Sequence, residues 1–143
     1  MTQHSKTRAR EKLPAHVLVV EDDAVLGLMI EQALLDAGVA RVALSASTEE
    51  ALRHLRDDQP QVIVLDVHLA DRDDGWAIAE LVRTLGPDSP RIIFSTGAPQ
   101  DIPADIAALG CILEKPYDAD ILVDLLRQPR RQGIISRLRG ALR

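Results

Sequence analysis

The chain has 143 residues, 46% of them hydrophobic and 27% charged, the make-up of one globular domain with a full core. No window offers ~18 consecutive apolar residues, which excludes a membrane-spanning helix. The polar, basic amino terminus lacks the apolar stretch of a secretory signal, so the expected location is the cytoplasm.

The net charge of −5 conceals three zones. Residues 1–12 carry Lys6, Arg8, Arg10 and Lys12 against Glu11, and residues 127–143 carry six Arg and no acid. What remains holds 7 basic and 21 acidic residues, a balance of −14 that would repel nucleic acid and leave any phosphate-backbone contact to the ends. Aromatic residues are only 2%, so the core must be built from Leu, Ile, Val and Ala, as in layered α/β packing. The lone Cys111 has no internal disulfide partner and reads as an inert buried thiol.

Residues 1–14 show no periodicity and are expected to form a disordered basic leader. The first strand, His16 to Val20, is a buried aliphatic run that stops in three consecutive carboxylates, Glu21-Asp22-Asp23. A helix follows from Ala24 to Ala37, with Val25, Leu28, Met29, Leu34 and Leu35 assigned to one apolar face, Asp22 or Asp23 as N-cap and Gly38 as stop. Arg41 to Ser45 is a short second strand. Ser47 with Glu50 three residues on reads as a capping box for a second helix ending near Asp57. Gln61 to Asp66 repeats the aliphatic run ending in a carboxylate, and a third helix is expected from Trp76 to about Thr84. Arg91 to Ser95, then a helix from Asp101 to Leu109 stopped by Gly110, then a strand from Cys111 to Glu114 and a helix from Asp118 to Arg127 complete the series.

Five strand–helix units in strict alternation demand a parallel sheet covered on both faces, and right-handed crossovers favour the flavodoxin-like (βα)5 order 2-1-3-4-5. In that order strands one and three are neighbours, so Glu21 and Asp22 come beside Asp66 at the switch point where open sheets bind ligands. Strands four and five bring Thr96 and Lys115 to the same rim. Three carboxylates in one mouth repel by about 3 kcal/mol per pair at ~5 Å and an effective dielectric of ~20, and a hard cation such as Mg²⁺ relieves this.

Taken together, Glu21-Asp22 after the first strand, Asp66 after the third, Thr96 after the fourth and Lys115-Pro116 after the fifth resemble the receiver domain of bacterial two-component response regulators. The resemblance covers residues 15–127. Each motif alone is weak, but five in order, each at its own strand end, make a strong signal. The resemblance implies that Asp66 is the phosphoacceptor, attacking a phosphohistidine of a partner histidine kinase or phosphotransfer protein. It implies that Glu21, Asp22, Asp66 and the main-chain carbonyl of His68 hold Mg²⁺, that Lys115 binds a phosphoryl oxygen, that Pro116 is cis, and that Thr96 moves its hydroxyl onto the phosphoryl group. The chemistry would be formation and hydrolysis of an acyl phosphate on the protein itself, with no external substrate.

Departures from the pattern are specific. The loop from Asp66 to Gly75 is one residue longer than usual, Ala70 stands where Pro is common, and Ile112 replaces the aromatic residue that often swings with the Thr. Phe94-Ser95-Thr96-Gly97 is similar to a Phe-x-Thr-Gly signature frequent in alphaproteobacterial stand-alone receivers. His4, His16 and His54 have no metal-site spacing and are expected at the surface or at strand edges. Trp76 reads as a packing anchor, and Asp71 to Asp74 as a solvated loop.

Residues 128–143 form a basic amphipathic tail in which Ile134, Ile135, Leu138 and Leu142 fall at helical spacing, so a helix docked on its own domain or on a second copy is expected in preference to a membrane-surface helix; a strand-like tail that self-associates is the alternative. So short a tail holds no DNA-binding domain, which directs output to a downstream protein partner or to onward phosphate transfer and leaves a homodimer open. Two other readings fit parts of the pattern. One is a Toprim-like metal-dependent nucleic-acid enzyme with Glu21 as base, which leaves Thr96 and Lys115 unexplained. The other is a degenerate receiver that binds partners without phosphorylation.

Overall fold

The computed structural model describes residues 12–67, 76–129 and 136–139. Strand β1 (His16–Val20) leads into helix α1 (Ala24–Ala37), then β2 (Arg41–Ser45), α2 (Thr48–Asp58), β3 (Val62–Asp66), α3 (Trp76–Arg83), β4 (Arg91–Thr96), α4 (Ala104–Ala107), β5 (Gly110–Glu114), α5 (Ala119–Arg127) and β6 (Ser136–Arg139). The strands are all parallel and ordered β2-β1-β3-β4-β5-β6, so the five expected strands lie in the expected order and a sixth is added outside β5.

The alternation of side chains along each strand divides the core in two. Leu18, Val20, Ile63, Leu65, Phe94 and Ile112 face α2, α3 and α4, and Val17, Val19, Val64, Ile93, Cys111 and Leu113 face α1 and α5. Phe94 and most of these aliphatics are fully buried, and the Cys111 thiol is buried with them. At the amino-terminal edge of the sheet the buried Arg91 guanidinium donates to the carbonyls of Leu125 and Gln128 at 3.2 and 3.0 Å, tying the start of β4 to the end of α5.

Helix α1 begins where the Asp23 carboxylate accepts from the amides of Val25 and Leu26, and ends at Gly38, whose φ of 118° is open to glycine at little cost. Its buried face is Gly27, Ile30 and Leu34, whereas Val25, Leu28 and Met29 are 68%, 56% and 58% exposed and Leu35 is also exposed. The face assigned from sequence was therefore largely wrong. The helix is apolar around most of its axis, so periodicity does not fix its phase, and Gly27 on its buried face lies beside Glu21 with room for a Cβ at ordinary contact distance.

In α2 the Ser47 hydroxyl caps the Glu50 amide, while the Glu50 carboxylate accepts from Ala46 one residue earlier than a standard capping box. The helix expected from Asp101 to Leu109 is a 3₁₀ turn at Pro99–Asp101 followed by the four-residue α4. Pro103 explains the break, since proline has no amide hydrogen and disfavours a helical residue before it. Residues 136–139 of the expected tail helix are strand β6, in register Cys111↔Ser136 to Glu114↔Arg139. A sheet of five strands would leave the outer backbone groups of β5 unpaired, and pairing that edge outweighs a weak helical periodicity. His16 is buried at the start of the central strand β1, contrary to a surface placement. The leader to residue 11, the loop from 68 to 75 with His68 and Ala70, and Ile134, Ile135 and Leu142 lie outside the described residues.

Candidate functional site

The acidic triplet after β1 divides into separate jobs. Asp23 is spent on capping α1, the exposed Asp22 faces the mouth, and Glu21 is 7% exposed. The Glu21 amide continues the ladder to the Ser45 carbonyl at 2.9 Å, which fixes its side chain two residues on from Val19, on the α1/α5 face. Asp66 ends β3 two residues after Val64 and emerges on the same face, buried. Carboxylate oxygens of Glu21, Asp22 and Asp66 lie within 4.8 Å of one another, the one such cluster among the described residues.

Lys115 follows β5 directly and reaches back across the sheet. Its ammonium donates to Glu21 Oε1 at 3.0 Å and to Asp66 Oδ2 at 3.4 Å. Its own amide donates to the Thr96 carbonyl at 2.8 Å, and the Lys115–Pro116 peptide is cis, as expected. Burial works against the ammonium, but its bonds to Glu21 and the charge of Asp66 outweigh this and hold its pKa above the ordinary lysine range. Glu21 moves the other way for a carboxylate: burial, then its hydrogen bond with Asp66, push its pKa up to about 7 despite the opposing pull of Lys115. A site whose carboxylate retains its proton near neutrality is short of positive charge, and the oxygen donors are those a hard divalent cation takes.

Thr96 is buried at the end of β4, two residues on from Phe94, and so its side chain leaves from the opposite face of the sheet. Its hydroxyl accepts from the Ala98 amide at 3.0 Å. The structure thus brings Glu21, Asp22, Asp66 and Lys115 into one pocket and places Thr96 at its rim, turned into its own loop. His16 and His54 contribute nothing to this pocket; His54 pairs with Asp58 at 2.7 Å. Sequence reasoning passed over Tyr117, two residues after Lys115, whose hydroxyl shares a 2.8 Å hydrogen bond with that of Ser95. The only signal for it was an aromatic residue directly after the Lys-Pro pair. No described helix is long and apolar enough to cross a membrane.

A family model for the response regulator receiver domain matches residues 17–127. Among curated proteins, the transcriptional regulatory protein AfsQ1 of Streptomyces coelicolor is 32% identical over 120 residues, 82% of this chain and 52% of that protein. The sensory transduction protein LytT of Bacillus cereus is 29% identical over 119 residues, 81% of this chain and 47% of that protein. The chain therefore spans about half the length of the curated relatives it matches. Among solved structures, the chemotaxis response regulator CheY4 of Vibrio cholerae superposes with a TM-score of 0.68 at 27% identity, covering 80% of this chain and 97% of that one. The anti-anti-sigma factor PhyR of Bartonella quintana gives the same TM-score at 22% identity over 88% of this chain and 51% of its own, a likeness of fold alone.

Proposed function

We propose that this chain, which belongs to the response regulator receiver domain family, is a phosphoacceptor switch in which Asp66 takes a phosphoryl group from the phosphohistidine of a partner histidine kinase or phosphotransfer protein. The observation that carries the reading is the convergence of Glu21, Asp66 and Lys115 on one face of the sheet, with Asp22 at the mouth. An Asp66 oxygen forms the new O–P bond as the P–N bond breaks, and the donor imidazole keeps the electron pair and takes up a proton.

Glu21, Asp22 and Asp66 are the side chains that would hold Mg²⁺, with the His68 carbonyl the further ligand the family pattern implies. Bound there, Mg²⁺ supplies positive charge to the phosphoryl oxygens as negative charge redistributes in transfer. The ammonium of Lys115, already 3.4 Å from Asp66, is placed to pair with a phosphoryl oxygen. Thr96 must give up its bond from the Ala98 amide to reach the site, so its capture would remodel the loop after β4. The exposed Val25, Leu28 and Met29, in the turns of α1 that follow the acidic triplet, form the surface on which the phosphodonor protein docks. Output passes by protein–protein contact in the cytoplasm, and the chain acts on no external substrate.

Incubation with Mg²⁺ and acetyl phosphate, read by intact mass, tests this. One added phosphoryl group, absent in Asp66→Asn and in EDTA, is expected. A folded, Mg²⁺-binding protein that gains none would leave a phosphorylation-independent binding module as the reading.

A further inference from the structure

The sheet register sets Asp66 opposite Ser95, and Ser95 opposite Leu113. Asp66 and Ser95 each lie two residues beyond a side chain on the α1/α5 face, Val64 and Ile93, so both side chains emerge on that face as neighbours in one row. Ser95 is 1% exposed, and a buried hydroxyl requires a partner; it has the hydroxyl of Tyr117 at 2.8 Å. Tyr117 packs on the α1/α5 core, and burial pushes its phenol up from the ordinary tyrosine range.

Lys115 sits between two fastenings to the same strand end. Its own amide is held by the carbonyl of Thr96, and two residues later the turn is held by the side chain of Ser95. A lysine side chain is long and has many rotamers, so the place of its ammonium depends on how firmly its backbone is fixed. We propose that Ser95 and Tyr117 are positioning residues: their paired hydroxyls latch the turn after β5 onto β4 and so hold the Lys115 ammonium against Asp66 for phosphoryl transfer. The inference rests on the phosphoacceptor reading and adds two residues to it, neither of which touches the transferred group.

The test is the initial rate of phosphorylation of the full chain by acetyl phosphate with saturating Mg²⁺, followed by intact mass alongside thermal melts. Tyr117→Phe removes one oxygen and keeps the ring, Ser95→Ala removes the other, and each is expected to slow phosphorylation about tenfold, the scale of a small misplacement of a reacting group. The double variant should be no slower than either single one, and Ser95→Thr, which keeps a hydroxyl, should restore most of the rate. In a Lys115→Met background, Tyr117→Phe should have no further effect, because the latch acts through the ammonium. Leu34→Val, a remote core change, serves as a destabilised control whose rate per folded molecule stays at the wild-type value. Wild-type rates in both hydroxyl variants, a further loss in the Lys115→Met background, or losses that only track the melting temperature as in the Leu34→Val control would each overturn the proposal and leave the phosphoacceptor reading standing. A wild-type protein that is never phosphorylated would bring down both.

Discussion

Glu21 carries the clearest pH signature at the scale of single residues. Its folded pKa of about 7 stands above the ordinary 4.5, so between those values the folded state keeps a proton that the unfolded state has lost. The stability this group contributes is present below about pH 4.5 and disappears as pH rises to about 7, a change on the order of 3 kcal/mol for the metal-free protein. Urea midpoints in EDTA should therefore fall over this range, and Asp66→Asn, which removes one cause of the shift, should flatten the slope. With Mg²⁺ present the sign reverses: the cation favours the ionised carboxylate, so its affinity should rise from pH 6 to 8 and its binding should release protons, read with a pH indicator. A Mg²⁺ affinity independent of pH would show that Glu21 is ionised throughout. These acids were legible in the sequence because each follows an aliphatic run that can only be a buried strand. The latch was not, since a serine inside β4 and a tyrosine after Lys-Pro become neighbours only through the register.

Secondary elements were legible wherever composition forced them and illegible wherever tertiary contacts chose between options. The five aliphatic strands had no alternative reading, while α1, apolar on most sides, left its phase to the sheet it packs on. Truncating inward residues should decide that phase: Leu34→Ala should cost about 3 kcal/mol in chemical denaturation, and Leu28→Gln or Met29→Gln less than about 0.5 kcal/mol. Equal losses on both sides would mean that the outer stripe is covered in the free protein. Gly110 teaches a similar lesson. It reads as the stop of a helix, yet a Cβ there would fall within the carbonyl of Ile92 on the neighbouring strand, with backbone that has no room to yield. Gly110→Ala should therefore destabilise the fold by about 3 kcal/mol, as overpacking between strands does. A melting temperature unchanged in that variant would mean that β4 and β5 sit further apart than this geometry.

At the scale of the whole molecule, the sixth strand closes an edge that the sequence pattern of five units leaves open. Ser-Arg-Leu-Arg has no aliphatic run in its sequence, so its strand state comes from what β5 lacks and not from its own residues. Deletion of residues 130–143 should expose that edge and promote concentration-dependent self-association in light scattering; a monodisperse truncated protein would show that β5 is protected by other means. Helix α5 is fastened to β4 at both of its ends. At one end the turn before it is bound to Thr96 and Ser95, at the other its final carbonyls are bound to Arg91, and all three residues belong to β4. Strand and helix are therefore braced together at both ends, with the candidate site at one tip and the root of the basic tail at the other. The nine residues of α5 span ~13 Å, so if Thr96 shifts on phosphorylation, the fastenings at both ends of the helix are the route by which Gln128 would feel it.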